Sequence, residues 1–297
     1  MNGASESPDS PADTIPRMLI SPRYDGPPIL SLDGAADDQL VPVTRQRRRL
    51  EATLARLGDD EWAAPSRCAG WSVQDVVAHL VGTNAFWHAS VVAGLAGTPS
   101  RVLAAFDPAA TPPLMVDTMR SLTPPEVLAR FVATNDAFLD SVASLDSDSW
   151  STIGESPAGH VPIRLLAQHA LWDAWIHERD IALPLGSNPA AEPDEVASSL
   201  RYAAAISPAL AIGMGHAASG RFAVEATEPA ASFNLVLDDS VVLRDGPVDP
   251  AAPCLRGDAI TLVEALSLRA PLPADAPAEW HDVLRGLAAA FDTEVVA

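Results

Sequence analysis

Apolar positions recur at helical intervals through the first two thirds of the chain and then change rhythm. Val43, Leu50, Leu54 and Leu57 step at helical spacing with Arg47 among them, and Gly58 closes the segment, predicting a helix over about 41–57. Ser72 followed by Asp75 at the third helical position makes a capping box. It opens a second helix carrying Val73, Val76, Val77, Leu80 and Val81, with His79 beside the stripe, to about residue 95. Pro99, Pro108, Pro112 and Pro113 break residues 98–123 and predict a long loop. Helices follow over 124–145, from near Pro162 to Pro184, and over 191–212. After Gly213, residues 222–227, 232–237 and 241–244 partly alternate and predict short strands. Asp258 is placed to cap a helix over 259–268, and a last helix covers about 279–291. The pattern predicts an α+β protein with a helical bundle over 39–217 and a small α/β module over 218–297. Residues 1–38, rich in Pro, Ser, Asp and Gly, read as an extended or disordered arm, draped over the body through Met18, Leu19, Ile20 and Tyr24.

Composition narrows the function more than the fold. Hydrophobic residues are 48% of 297, ample for a buried core. No apolar run approaches the ~20 residues that span a bilayer, and residues 1–10 lack the basic start and apolar core of a signal peptide. We therefore expect a cytoplasmic protein without a membrane partner. A net charge of −20 argues against nucleic acid. The one basic cluster, Arg45 and Arg47 to Arg49, reads as a solvated helix face paired with nearby acids. All 19 basic residues are arginine, which excludes a catalytic Schiff base, a lysine-anchored pyridoxal phosphate and a Walker lysine. Cys68 and Cys254 match no metal-ligand spacing and read as idle thiols, so any thiolate chemistry points to a cofactor.

Candidate chemistry concentrates in residues 169–180, His-Ala-Leu-Trp-Asp-Ala-Trp-Ile-His-Glu-Arg-Asp. His169, Asp173 and His177 stand four residues apart and share one helical stripe, with Asp180 a turn further on. Imidazole and carboxylate at this spacing can hold one divalent ion, and equally can knit an amphipathic surface. If the second and fourth helices pack together, His79 becomes the third ligand from a neighbouring helix. Two imidazoles and a carboxylate suit Zn²⁺, with Fe²⁺, Ni²⁺ or Mn²⁺ also compatible. His88, His160, His216 and His281 have no comparable neighbours.

Residues 67–80, Arg-Cys-Ala-Gly-Trp-Ser-Val-Gln-Asp-Val-Val-Ala-His-Leu, resemble the Gly-Trp-Ser/Thr-Val…Asp-Val…His-Leu signature of the DinB-like superfamily. The nearer resemblance is to the mycothiol-dependent maleylpyruvate isomerase family, whose second motif matches Asp173-Ala-Trp-Ile-His-Glu-Arg-Asp180. It extends to Arg256-Gly-Asp-Ala259 and the Leu-rich run to Arg269, which look like that family's sterol-carrier-like C-terminal domain. The resemblance implies a DinB-like up-and-down bundle with His79, Asp173 and His177 as metal ligands, Zn most of all. It also implies mycothiol, or a related low-molecular-weight thiol, as cofactor and a small electrophile as substrate.

Two departures stand out. The family's acidic ligand is usually Glu where this chain has Asp173, and its frequent Gly-Arg pair is Leu268-Arg269 here. The first gives His169 a role in orienting Asp173 or competing with it, beside Asp180 as support for the ligands. The second leaves Arg269 between anion binding and an ion pair. A metal-activated thiolate would serve S-transfer or cis–trans isomerisation. The arm and the Pro-rich segment suggest a reshaped pocket and favour S-transfer. A non-catalytic metal- or thiol-binding bundle is the rival class, and a metallohydrolase ranks last because Glu178 faces away from the stripe.

Overall fold

A computed structural model describes residues 22–33, 39–216, 219–291, 293 and 295. Met18, Leu19 and Ile20, expected to drape over the body, lie outside the described residues. The elements run β1 (Leu30–Asp33), α1 (Leu40–Leu54), α2 (Asp59–Ala63), α3 (Val73–Leu95), a 3-10 turn (Val102–Ala105), α4 (Thr111–Asp117), α5 (Pro124–Val142) and α6 (Ser147–Trp150). Then come β2 (Ile153–Ser156), β3 (Gly159–Pro162), α7 (Ile163–Ala182), α8 (Pro193–Gly213), β4 (Gly220–Thr227), β5 (Ala230–Leu237), β6 (Val241–Asp245), β7 (Cys254–Gly257), α9 (Ala259–Leu266) and α10 (Glu279–Ala290).

The capping box at Ser72 forms as the sequence predicts: Asp75 N–H donates to Ser72 Oγ at 3.2 Å and Ser72 N–H to Asp75 Oδ2 at 3.0 Å. This fixes where α3 begins and hence which way His79 points. Farther along α3, Gly94 lies so close to the β2 backbone that a Cβ would sit 2.4 Å from the Ile153 carbonyl oxygen. Contrary to the reading that no run was long enough, α3 has the length and apolarity to cross a bilayer, yet half of that window is buried within the fold. Segment 98–123 is also not a long loop. Its prolines start α4 rather than forbid it, since the first helical turn needs no proline N–H.

Helix α7 is the centre of the molecule. Eighteen of its 20 residues are buried, which rules out the solvated amphipathic surface as the meaning of its polar stripe. It packs on α1, α3 and α8. On the other side of α8 lies a mixed sheet of order β1-β6-β5-β4-β7. Part of the amino-terminal arm supplies its edge strand, β1 pairing parallel with β6 from Leu30↔Val241 to Asp33↔Arg244. One hydrophobic core runs from Trp87, Leu171 and Trp175 through Tyr202 and Ile206 to Phe233, Leu262 and Trp280. Bundle and sheet are therefore joined by apolar contact, and α9 lies close enough to α7 to reach its polar side chains.

Arg47 departs from the expected solvated face. It is fully buried, donating to Asn84 Oδ1, to Asn135 Oδ1 at 3.2 Å and to the Ala170 carbonyl at 3.1 Å. Arg45, Arg48 and Arg49 do pair with acids, on Asp194 and Glu195, Glu51 and Asp136, and Glu178 and Glu195 respectively. A helix repeat of 3.6 turns one member of a run of arginines inward while its neighbours face water.

Candidate metal centre

Helices α3 and α7 bring His79, Asp173 and His177 together, with one ligand atom from each lying within 4.8 Å of the others. Asp173 Oδ1 is 3.5 Å from His177 Nε2 and 3.9 Å from His79 Nε2. Ligands about 2.1 Å from a tetrahedral ion stand about 3.4 Å apart, so a modest closure satisfies the geometry. The second Asp173 oxygen, Oδ2, is buried without a hydrogen-bond partner among the described residues. A buried carboxylate oxygen left bare is costly unless a cation or water completes it. The donor set and this orphaned oxygen fit a divalent ion. The three side chains are 17%, 14% and 11% exposed, so the cluster is not sealed from solvent.

His177 is held from behind. Its Nδ1 is 3.1 Å from Asp180 Oδ2, which orients the ring so that Nε2 faces Asp173, where a bound ion would replace the Nε2 proton. Trp71 lies 5.5 Å from the His79 ring, and the two imidazoles are 5.0 Å apart, edge to face.

Asp180 is the hub of a charged network. Arg269 donates to it from Nε at 3.0 Å and from Nη2 at 2.9 Å, and Arg67 from Nε at 2.9 Å. Arg67 also donates to Glu264 at 2.6 Å, and Arg179 reaches the other Glu264 oxygen at 2.6 Å. Arg269 thus forms an ion pair, the second of the two roles open to it. It is aimed by the end of α9, where the Arg269 N–H meets the Glu264 carbonyl at 2.8 Å and Leu268 takes φ +59°. That is a Schellman-type stop, with leucine in the left-handed position that glycine occupies without strain.

Electrostatics follow from these partners. Burial alone would raise Asp173, but His79 and the charge of His177 outweigh it and hold the carboxyl well below the usual range. Asp180 is held down in the same way by His177 and Arg269 against burial. Burial opposes a charged His177, yet Asp180, Cys68 and Asp173 together push it up to about 10. Burial is the main influence on His79 and lowers it.

His169, expected to orient Asp173 or compete with it, has a different hydrogen-bond partner. Its Nδ1 lies 2.7 Å from the Tyr202 hydroxyl, among the rings of Trp87, Trp172 and Tyr202. Glu178 does face away, onto Arg49 and Gln46. Trp175 is buried, and Trp172 donates its indole N–H to Ser267 at 2.8 Å.

Sequence reasoning missed Cys68, which is no idle thiol. Its Sγ is 3.2 Å from Asp180 Oδ2, 3.8 Å from His177 Nδ1 and 3.7 Å from Arg269 Nη2. It also missed Arg67, Glu264 and Tyr202. Adjacency of Arg67 and Cys68 to the Gly70-Trp71-Ser72 turn was the available signal, though nothing local ties them to residues over a hundred positions away.

Two packed helices that converge a candidate donor set, joined to a sheet-bearing C-terminal region, define the class. Residues 43–182 match the mycothiol maleylpyruvate isomerase N-terminal domain. Two solved structures of the mycothiol-dependent maleylpyruvate isomerase share the fold. One, a histidine-to-alanine mutant, aligns with a TM-score of 0.56 at 15% identity, covering 80% of this chain and 90% of that one. The other gives 0.55 at 14% identity with the same coverage. No curated protein sequence matches the chain.

Proposed function

We propose that the protein is a metal-dependent enzyme using mycothiol or a related low-molecular-weight thiol, with His79, Asp173 and His177 holding the ion, Zn²⁺ foremost. The observation that carries this reading is the convergence of these three side chains around the bare Asp173 Oδ2. The match of residues 43–182 to the mycothiol maleylpyruvate isomerase domain supports the thiol. A bound divalent ion would keep a coordinated thiol deprotonated at neutral pH and so supply a nucleophile. Asp180 and the two arginines on it fix His177, and the buried Asp173 supplies the negative charge that retains a cation.

The substrate is a small electrophile with a conjugated double bond, and cis–trans isomerisation of a maleylpyruvate-like compound is the reaction favoured here. The match of residues 43–182 supports this reaction, whereas addition that stops at a thioether consumes a proton at carbon. Isomerisation needs none, because the thiolate leaves again. S-transfer to a carbon bearing a displaceable group is the second reading. The partners are a thiol and a small molecule, with neither nucleic acid nor membrane required.

The test is incubation of the zinc-loaded chain with mycothiol and maleylpyruvate, followed by NMR of products. Trans product forming at constant thiol concentration supports isomerisation, and thiol consumed one for one into a thioether supports S-transfer. Mycothiol raising the melting temperature without turnover would leave a binding protein instead.

A further inference from the structure

His169 is the titratable group of the α7 stripe that the ligand set leaves unused. It lies one turn before Asp173, about 6 Å along the axis, and its residue is 7% exposed. The Tyr202 phenol beside it is buried, and burial drives its pKa well above 10, so the hydroxyl keeps its proton. Its hydrogen-bond partner among the described residues is His169 Nδ1, at 2.7 Å, so the O–H donates there. The imidazole proton then belongs to Nε2. Burial also pushes His169 down to about 4, against a weaker pull from Asp173, so the ring is neutral. No hydrogen bond to Nε2 occurs among the described residues, and this nitrogen is not among the sealed, unpaired buried atoms. The ring cannot swing freely: Trp87, Tyr202 and Trp172 stand 4.6, 4.9 and 5.4 Å from it.

We infer that His169, fixed by Tyr202 as its Nε2–H tautomer, donates a hydrogen bond to the carbonyl oxygen of an α,β-unsaturated substrate during thiol addition one turn away. The inference rests on the thiol-addition reading and adds the group that receives the displaced charge. The thiolate lone pair forms the S–C bond while the C=C pair shifts to the conjugated carbonyl, whose oxygen becomes an enolate and accepts Nε2–H. Rotation follows about the carbon–carbon bond that is now single. The electron pair then returns, the S–C bond breaks, and thiolate and trans product separate with no proton gained or lost. A neutral imidazole suits this work because it stabilises the oxyanion without surrendering its proton. Tyr202 is the positioning residue.

The test uses the zinc-loaded full chain labelled with ¹⁵N-histidine. Wild type should show His169 protonated at Nε2, and maleate, as a conjugated carboxylate probe, should shift that resonance. Tyr202→Phe should lose the tautomer preference. His169→Phe should lower kcat with mycothiol and maleylpyruvate about 100-fold, the cost of one oxyanion donor, with zinc content and KM for thiol unchanged. His169→Gln, which keeps an N–H donor, should recover part of the rate. A wild-type Nδ1–H tautomer, a resonance indifferent to maleate, or unchanged kcat in zinc-replete His169→Phe would overturn the inference. Lack of turnover in wild type would instead defeat the functional reading, and the tautomer and maleate shift would still decide for or against His169 as donor.

Discussion

His177 and His169 flank Asp173 by one helical turn on either side of the same helix, yet they are opposite in character. His177 meets the Asp180 carboxylate of its own helix, itself held by Arg67 and Arg269, and the Cys68 thiol of the 64–72 connection, and is pushed up to about 10. His169 meets a phenol and two indoles, and is pushed down to about 4. On the proposed reading, identical spacing within α7 produces a ligand end and a neutral donor end. What differs is which distant segment reaches each turn. A helix supplies the ruler, and the tertiary partners supply the chemistry.

Removing the ligand end should have the largest effect. His79→Ala or His177→Ala leaves two ligands, and zinc affinity measured against a competing chelator should fall by more than about 100-fold. Asp180→Asn takes away the charged acceptor behind His177 while keeping its shape. A loss of about 10–100-fold in zinc affinity is expected, the usual scale for a group supporting a metal-bound imidazole, and an unchanged affinity would show that the network serves folding alone.

The donor end should report through acid stability. His169 has its ordinary pKa near 6.5 when unfolded and about 4 when folded, so the unfolded chain binds the extra proton first. Its contribution is complete above pH 6.5 and is lost as pH falls toward 4, by about 3 kcal/mol at most. Denaturant titrations of the zinc-free chain should show this slope, and His169→Phe should flatten it over that window. The smallest effect belongs to Leu268→Gly. Relief of left-handed strain, about 1 kcal/mol, is offset by lost packing of a half-buried leucine. A net change in unfolding free energy under about 1 kcal/mol, with zinc affinity intact, is expected.

Local physics made much of this legible. Four-residue spacing on α7, the capping box at Ser72 and the position of His79 on α3 are properties of short stretches, and all three survive folding. Strands β4 to β6 follow from partial alternation over several residues. The four-residue β1 escaped notice because Leu30–Asp33 is too short to alternate convincingly and its partner β6 lies over two hundred residues away. Cys68, Glu264 and Tyr202 escaped for the same reason: each acquires its role only from a side chain distant in sequence. Arg47 was misread because a run of arginines carries no mark of which one turns inward.

Zinc-edge X-ray absorption on the zinc-loaded chain, with and without mycothiol, bears most directly on the metal centre. The account predicts a shell of nitrogen and oxygen at about 2.0–2.2 Å, gaining one sulfur near 2.3 Å when mycothiol is added, and losing both features in His79→Ala. Sulfur in the shell before any thiol is added would assign the ion to Cys68 instead. A shell indifferent to mycothiol, or zinc that fails to bind, would contradict the account outright.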